Sequence, residues 1–479
     1  MTTVSHDSLA GLRDALSSPV TLPGEPGYEL SRRMWNADVD RHPAAIVKCH
    51  DAREVAEALT WCVERNIEVT VRSGGHNVAG TAVIDGAVML DTSPMRDITF
   101  DTDAGTVTVG AGCLWGEVDR LSADLDVAVP AGAVSHTGVA GLTLGGGIGY
   151  LSRLYGMTVD YLVSATVVVA DGRILTVSED EHPDLFWALR GAGHNYGVVT
   201  SFTFRYVPLP GLVTIRQALY AAEDRAEVLR FFRDWAPGAP DNVTTYARLY
   251  DCPPYWAQVP TAYRGTPVLS IATVHYGDPA AEPGVTAPMF AQATPVYSGL
   301  RTVRHVELQQ ACDDEFRHGI GHYWKHVYLE SLSDEVIDLA IDWTDRYPGR
   351  PLQSHSGIVH QVMCPFEVSA GGGALDRRDQ EATAATSPAL PFGANIAADF
   401  ELREEKPALV EWVKGFADAL IPYQGGTYIN FTSVQGDEEV ARAVYGAKYD
   451  RLAAVKREYD PRNVFRRGLV DLTTKPEQG

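Results

Sequence analysis

The chain has 479 residues, 45% of them hydrophobic and 21% charged, the balance of an ordinary globular protein. That length calls for two or three domains rather than one core. A net charge of −22 argues against a nucleic-acid backbone as partner, and no apolar run approaches the roughly 20 residues of a membrane helix.

In chain order, Ser8–Ser18 reads as a short helix and Tyr28–Arg41, with Trp35 and Asn36, as a loop. Met1–Ser18 has no apolar region of the secretory kind. Ala45–Cys49 reads as a strand. Asp51 is a fitting N-cap for a helix to about Arg65, with Val55, Ala58, Leu59 and Cys62 on one face. Another strand, Ile67–Val71, runs into Arg72-Ser73-Gly74-Gly75-His76-Asn77. Two adjacent glycines let consecutive N–H groups point one way, a concavity suited to phosphate, with an imidazole at its edge. Thr106–Val109 alternates as a strand, and Trp115–Leu125 suggests a helix.

Pro130–Tyr150 is dense in glycine, yet Val139, Leu142, Leu144 and Ile148 interrupt it as apolar anchors. Such a backbone suits close wrapping around something flat or phosphorylated. Ser164–Ser178 is a hairpin turning at Asp171-Gly172. Asp184–Leu189 is a short helix, ended by Gly191–Gly197, and Val198–Tyr206 is a strand. Pro208-Leu209-Pro210-Gly211 punctuates the chain as a domain boundary. Beyond it, strands such as Val213–Leu219, Val268–His275 and Ser356–Met363 alternate with helices such as Asp224–Asp234 and Asp334–Trp343. That pattern implies an antiparallel sheet covered by helices. Pro407–Leu420 and Tyr445–Tyr459 read as helices.

Several chemistries fail on spacing. Gly191-x-Gly193-x-x-x-Gly197 leads into a strand and is no dinucleotide fingerprint, and neither a GxxxxGK[ST] loop nor a GxSxG elbow is present. His318, His322 and His326 fall four apart, but glycines and β-branched neighbours favour a strand over a zinc-binding helix, so no metal is expected. Cys49, Cys62, Cys113, Cys252, Cys312 and Cys364 form no CxxC and read as reduced thiols of a cytoplasmic protein. Cys113 reads as a small core residue.

Taken together, Arg72–His76, the Gly138–Gly149 cluster with Arg153-Leu154-Tyr155-Gly156, Asp184–Gly193, Gly197-Val198-Val199-Thr200, Tyr428-Ile429-Asn430 and Arg451–Phe465 resemble the berberine bridge enzyme-like branch of the vanillyl-alcohol oxidase (PCMH-type) flavoproteins. The resemblance spans about 38–209 and 420–467 and is loose between, at Tyr323-Trp324-Lys325 and Gly371–Ala374. It implies an α+β protein: a two-lobed FAD-binding domain over 1–208, a substrate domain over 209–410, and a return to the FAD domain over 411–479.

The resemblance further implies FAD held by Arg72, Ser73, Gly74, Gly75, His76 and Asn77, by Pro130, Ala131, Gly132, Val134, Thr137, Gly138, Gly141, Leu142, Gly145 and Gly146, by Gly193, Gly197, Val198 and Val199, and by Tyr428 and Asn430. His76 would carry an 8α bond to the flavin. Many relatives add a cysteine bond four residues before Gly138; Val134 stands there, so one covalent link is expected. Tyr428 is the implied catalytic base, and with a reference pKa near 10 it needs a neighbour that stabilises phenolate. Lys325 is one candidate for that neighbour, and Glu367 and Glu401 are rival bases. His322, Trp324, His326 and Tyr328 share a strand face and would line the substrate cavity, with His355 and His360 weaker candidates and Tyr445 and Tyr449 more fitting as core.

The expected activity is oxidation of a small alcohol, amine or sugar of the secondary-metabolite kind, with dioxygen as acceptor, by a monomer or homodimer. Small and apolar Thr137 and Leu142 beside the flavin would leave room for dioxygen. A flavin monooxygenase and a non-catalytic flavin binder are the alternatives.

Overall fold

The computed structural model describes residues 6–349, 364–386, 389–433, 436 and 438–473. The fold is α+β, built on three main sheets. The first has the order Val20–Thr21, Ala45–Lys48, Val88–Asp91, Val69–Arg72, with the last three strands parallel. A crossover helix, Ala52–Glu64, joins two of these strands and buries Val55, Ala58, Leu59 and Cys62. Its N-cap is Asp51, whose carboxylate accepts the N–H groups of Arg53 and Glu54 at 2.8 and 2.9 Å. The Ser73–Asn77 loop therefore leaves the carboxyl end of a parallel strand, where α/β sheets place their ligands.

The second sheet is antiparallel, in the order Ile98–Asp101, Thr106–Gly110, Gly197–Arg205, Leu162–Val169, Ile174–Ser178. One hydrophobic core joins both sheets to Tyr445, Tyr449, Leu452 and Leu472 near the other end of the chain. The third sheet has eight antiparallel strands: Tyr297–Val303, Val213–Ala221, Pro267–Tyr276, Val243–Asp251, Phe366–Ala370, Phe392–Phe400, Gly321–Leu329 and Gln424–Gly426. Helices Arg225–Trp235, Asp334–Asp345 and Lys406–Leu420 bury their apolar faces on one side of it. Strand side chains alternate between faces, so the other side is free to build a site.

Three sequence expectations need correction. The glycine-rich stretch contains a helix, Val139–Leu144, in which Val139 and Ala140 bury one face together with Thr143 and Leu144 four residues on. Tyr28–Ser31 is a helical turn rather than loop. Tyr445–Tyr459 is not one helix: Glu438–Tyr445 and Tyr449–Tyr459 are separated at Gly446, whose φ is +52°. Ser356–Met363, His355 and His360 lie outside the described residues. All six cysteines are buried and unpaired, and Cys113 sits in the main core. No helix among the described residues is long and apolar enough to cross a membrane.

Candidate active site

Two glycine loops cross back to back. Gly74 leaves the strand Val69–Arg72, and Gly138 caps the helix Val139–Leu144. A Cβ on Gly138 would lie 2.7 Å from the Gly74 Cα, and one on Gly74 would strike the Gly138 backbone, so neither position has room for a side chain. Gly75 follows with φ +70°. Behind the loop, Arg72 Nη1 lies 3.3 Å from Asp91 Oδ1, while its Nε is buried with no partner among the described residues. An orphaned guanidinium nitrogen beside bare amides fits an anion.

One elongated cavity runs along this crossing and on to the eight-stranded sheet. Ser73, Gly74, Gly75, His76 and Asn77 line it, as do Gly132, Val134, Thr137, Gly138, Gly141 and Leu142. So do Gly197, Val199, Tyr428 and Asn430. Val198 does not, because strand alternation turns it into the core. Pro130, Ala131, Gly145, Gly146 and Gly193 also stand behind the wall. A Cβ on Gly145 would strike the Asn430 amide, one on Gly193 the Leu144 side chain and one on Gly149 the Ala131 carbonyl. These positions are small so that neighbouring segments can close up. His194, Phe465 and Arg467 line the cavity as well and were missed; Phe465 closes the segment that carries the resemblance, and Arg467 is two residues on.

His76 is enclosed by aromatic rings. Trp35 stacks on it, centroids 4.1 Å apart and planes 12° apart, and His322 stacks on the far side of Trp35 at 3.8 Å and 5°. His322 Nδ1 lies 2.6 Å from Asp399 Oδ1. Trp35 N–H donates to the Gly75 carbonyl at 3.0 Å. The next residue, Asn36, donates to the carbonyls of Val78 and His322 at 2.8 and 3.0 Å and accepts the His322 N–H at 2.9 Å. The Trp35-Asn36 segment thus fastens the Gly75–Val78 loop to the eight-stranded sheet. Burial, followed by repulsion from His136, His322 and His318, holds His76 well below the ordinary histidine range and therefore neutral.

The four-residue face on Gly321–Leu329 is buried as a set, but only Trp324 reaches the cavity. His322 is taken up by Trp35 and Asp399. His326 Nδ1 accepts the Tyr428 backbone N–H at 3.1 Å, and Tyr328 packs edge-on against His326. His322, His326 and Tyr328 therefore form the layer behind the wall. Lys325 points to the opposite face, near Asp418 and Lys414, and cannot assist Tyr428. The Tyr428 hydroxyl accepts the Gly147 N–H and the Asn430 Nδ2–H, each at 2.9 Å. Burial outweighs these donors and pushes the phenol up to about 12, so it is protonated at neutral pH.

Burial holds His326 down at about 3, against 6.5 for a free histidine. Between those values the unfolded chain carries a proton that the folded chain does not. Stability therefore falls as pH drops from about 6.5 toward 3, by about 2 kcal/mol from this group at pH 5. Urea midpoints at pH 7.5 and pH 5 measure it, and His326→Leu should flatten this part of the slope.

The far end of the cavity is polar and was largely missed. Thr244, Tyr246 and Arg248 come from Val243–Asp251, Glu367 and Ser369 from Phe366–Ala370, and Asn395 from Phe392–Phe400. Arg248 is buried; burial alone would disfavour its charge, but the bonded Glu367 carboxylate reverses the shift. Asn395 Oδ1 is buried without a partner among the described residues. Glu401, the other acid considered, pairs with Arg317 on the surface.

Residues 43–178 match the FAD binding domain family and 427–468 the berberine and berberine-like family. An FAD-linked oxidoreductase of Dictyostelium discoideum is 30% identical over 438 residues, 91% of this chain and 90% of that one. The (R)-6-hydroxynicotine oxidase of Paenarthrobacter nicotinovorans is 27% identical over 462 residues, covering 94% and 96%. BBE-like 1 of Physcomitrella patens superposes with a TM-score of 0.85 at 21% identity, covering 98% and 100%. The chain belongs to the berberine bridge enzyme-like family of FAD-linked oxidoreductases.

Proposed function

We propose that the enzyme carries FAD on a single bond to His76 and oxidises a small alcohol, amine or sugar, with dioxygen as the electron acceptor. The carrying observation is continuity: one cavity joins the glycine crossing, His76 and Tyr428 to the polar floor of Tyr246, Glu367 and Asn395. FAD supplies the acceptor for a hydride taken from substrate. The Ser73–Asn77 loop, and Ala140 and Gly141 in the first turn of the helix, would hold it by their backbone amides. Glu367, oriented by Arg248, takes the substrate's O–H or N–H proton. Tyr428 then acts as a donor toward a substrate heteroatom, its oxygen already fixed by Gly147 and Asn430. The 6-hydroxynicotine oxidase relative keeps amines among the substrate classes.

Val134 supports a single link. Cys312 also lines the cavity, but burial, outweighing the Tyr150 hydroxyl 3.0 Å from its sulfur, pushes its thiol up to about 12 and leaves a poor nucleophile. Mass spectrometry of tryptic peptides should find flavin on the His76 peptide alone; flavin on two peptides, or on none, contradicts this. Anaerobic screening for compounds that bleach the flavin absorbance tests the oxidation. Labelled dioxygen appearing in the product would instead mark a monooxygenase. Six buried thiols support a reducing, cytoplasmic setting, and a monomer or homodimer suffices because the cavity is built within one chain.

A further inference from the structure

Arg153 is a cation shut inside the molecule, 2% exposed. Its Nη2 donates to the Ala239 carbonyl at 2.6 Å, while Nε and Nη1 are buried with no partner among the described residues. A guanidinium keeps its charge, and a buried charge without a counter-charge is costly, so this one calls for an anion. The acids that act on it are otherwise engaged: Asp241 is bonded by Arg377, and Asp376 accepts the Gly372 N–H at 3.2 Å. Glycine makes the room. A Cβ on Gly372 would come within 2.7 Å of Arg153 Nη1, and Gly372 itself has φ +96°. Arg153–Gly156 and Gly371–Ala374 are thus two sequence motifs that meet at this guanidinium and that the flavin cradle leaves without a task. Arg153 lines the same cavity as the cradle, together with Tyr150, Ser152 and Thr244.

We propose that Arg153 binds a carboxylate of the substrate, so that the alcohol, amine or sugar oxidised is also an acid; this rests on the oxidation proposed above. The site lies at one end of the chamber floor. Across the strands Arg248 faces Glu367, and Tyr246 faces Ser369. Ala239 and Gly372, the neighbours of the guanidinium, both lie beyond the Tyr246–Ser369 end. The three residues from Glu367 to Ala370 span roughly 10 Å of strand. The carboxylate is therefore several bonds from the carbon that gives up hydride. Tyr246, Phe316, Trp324 and Phe431 line the cavity with rings, which suits an aromatic body for the rest of the compound. Asp241 and Asp376 act on the same guanidinium and repel a second negative charge, so a carboxylate suits it better than a phosphate dianion.

The test titrates the holoenzyme with phenylacetate, 3-phenylpropionate and 4-phenylbutyrate, and with their primary amides, following the flavin absorbance at pH 7. At least one acid should bind about tenfold more tightly than its amide, or better. Arg153→Met should bring the two within about twofold, and Arg153→Lys should keep part of the preference. A guanidinium that only clamps the chain would lower the urea midpoint of Arg153→Met and leave the discrimination as it was, which overturns the site. Acids and amides within about twofold of each other across the series in the unmodified chain overturn it too, and decide the matter if the Arg153 variants do not fold. Phenyl phosphate binding more tightly than every acid overturns the carboxylate assignment. The oxidation fails separately: a chain that prefers the acids, yet whose flavin no compound bleaches, keeps the site and loses the reaction.

Discussion

Gly138→Ala is expected to yield a chain that folds with reduced stability and purifies nearly colourless. The added methyl meets the Gly74 Cα at 2.7 Å, backbone against backbone, with no side chain able to swing aside. Forced overpacking of this kind costs about 1–3 kcal/mol and moves the loops that hold the cofactor. A tenfold or greater loss of FAD affinity corresponds to about 1.4 kcal/mol or more. Gly141→Ala is the partner experiment. It lines the same cavity inside the helix Val139–Leu144, and a Cβ there meets nothing within 4 Å. The protein itself should gain slightly, by about 0.5–1 kcal/mol of helix preference, while the methyl enters space reserved for flavin. Urea midpoints and the ratio of flavin to protein absorbance separate the two. Full flavin occupancy in both variants would remove the cradle from this position.

Glu367→Gln should slow anaerobic reduction of the flavin by about 10²–10⁴-fold, the usual worth of a general base. It also strips Arg248 of its anion. With Glu367 partly open to the cavity, the stability loss should be about 2–4 kcal/mol, at or below that of a fully buried pair. Tyr428→Phe should cost less in rate, about 10–10²-fold, because a phenol held at about 12 keeps its proton rather than taking one from substrate. Its loss leaves the Gly147 N–H and the Asn430 amide without their acceptor, worth about 1–3 kcal/mol. Stopped-flow reduction with any active substrate orders the two. A larger rate loss for Tyr428→Phe would return the base to the tyrosine.

The cradle was legible because it is local. Gly74-Gly75-His76 and the Gly138–Gly149 cluster each carry their purpose in a few consecutive residues, and the covered sheet followed from alternating strands. The helix Val139–Leu144 was hidden by its own glycines. The chamber floor was hard to see for another reason: Tyr246, Glu367 and Asn395 come from three strands that only the sheet order brings side by side. The His322 face shows the limit of periodicity. Alternation puts the four side chains on one side of a strand, but whether that side meets a cavity depends on Trp35 and Tyr428, which arrive from distant segments. Lys325 failed as a helper through that same alternation, one residue from Trp324 and facing away.

The Asn36 side-chain amide ties the main chain of Val78 to that of His322. With FAD bound as proposed, the spacing between dye and reductant would be set by a rigid clasp rather than by whichever side chains decorate the chamber. Substitutions at Tyr246, Ser369 or Asn395 can retune what is recognised without disturbing how near it is brought. A scaffold with that separation of duties can be redirected to new compounds one wall at a time.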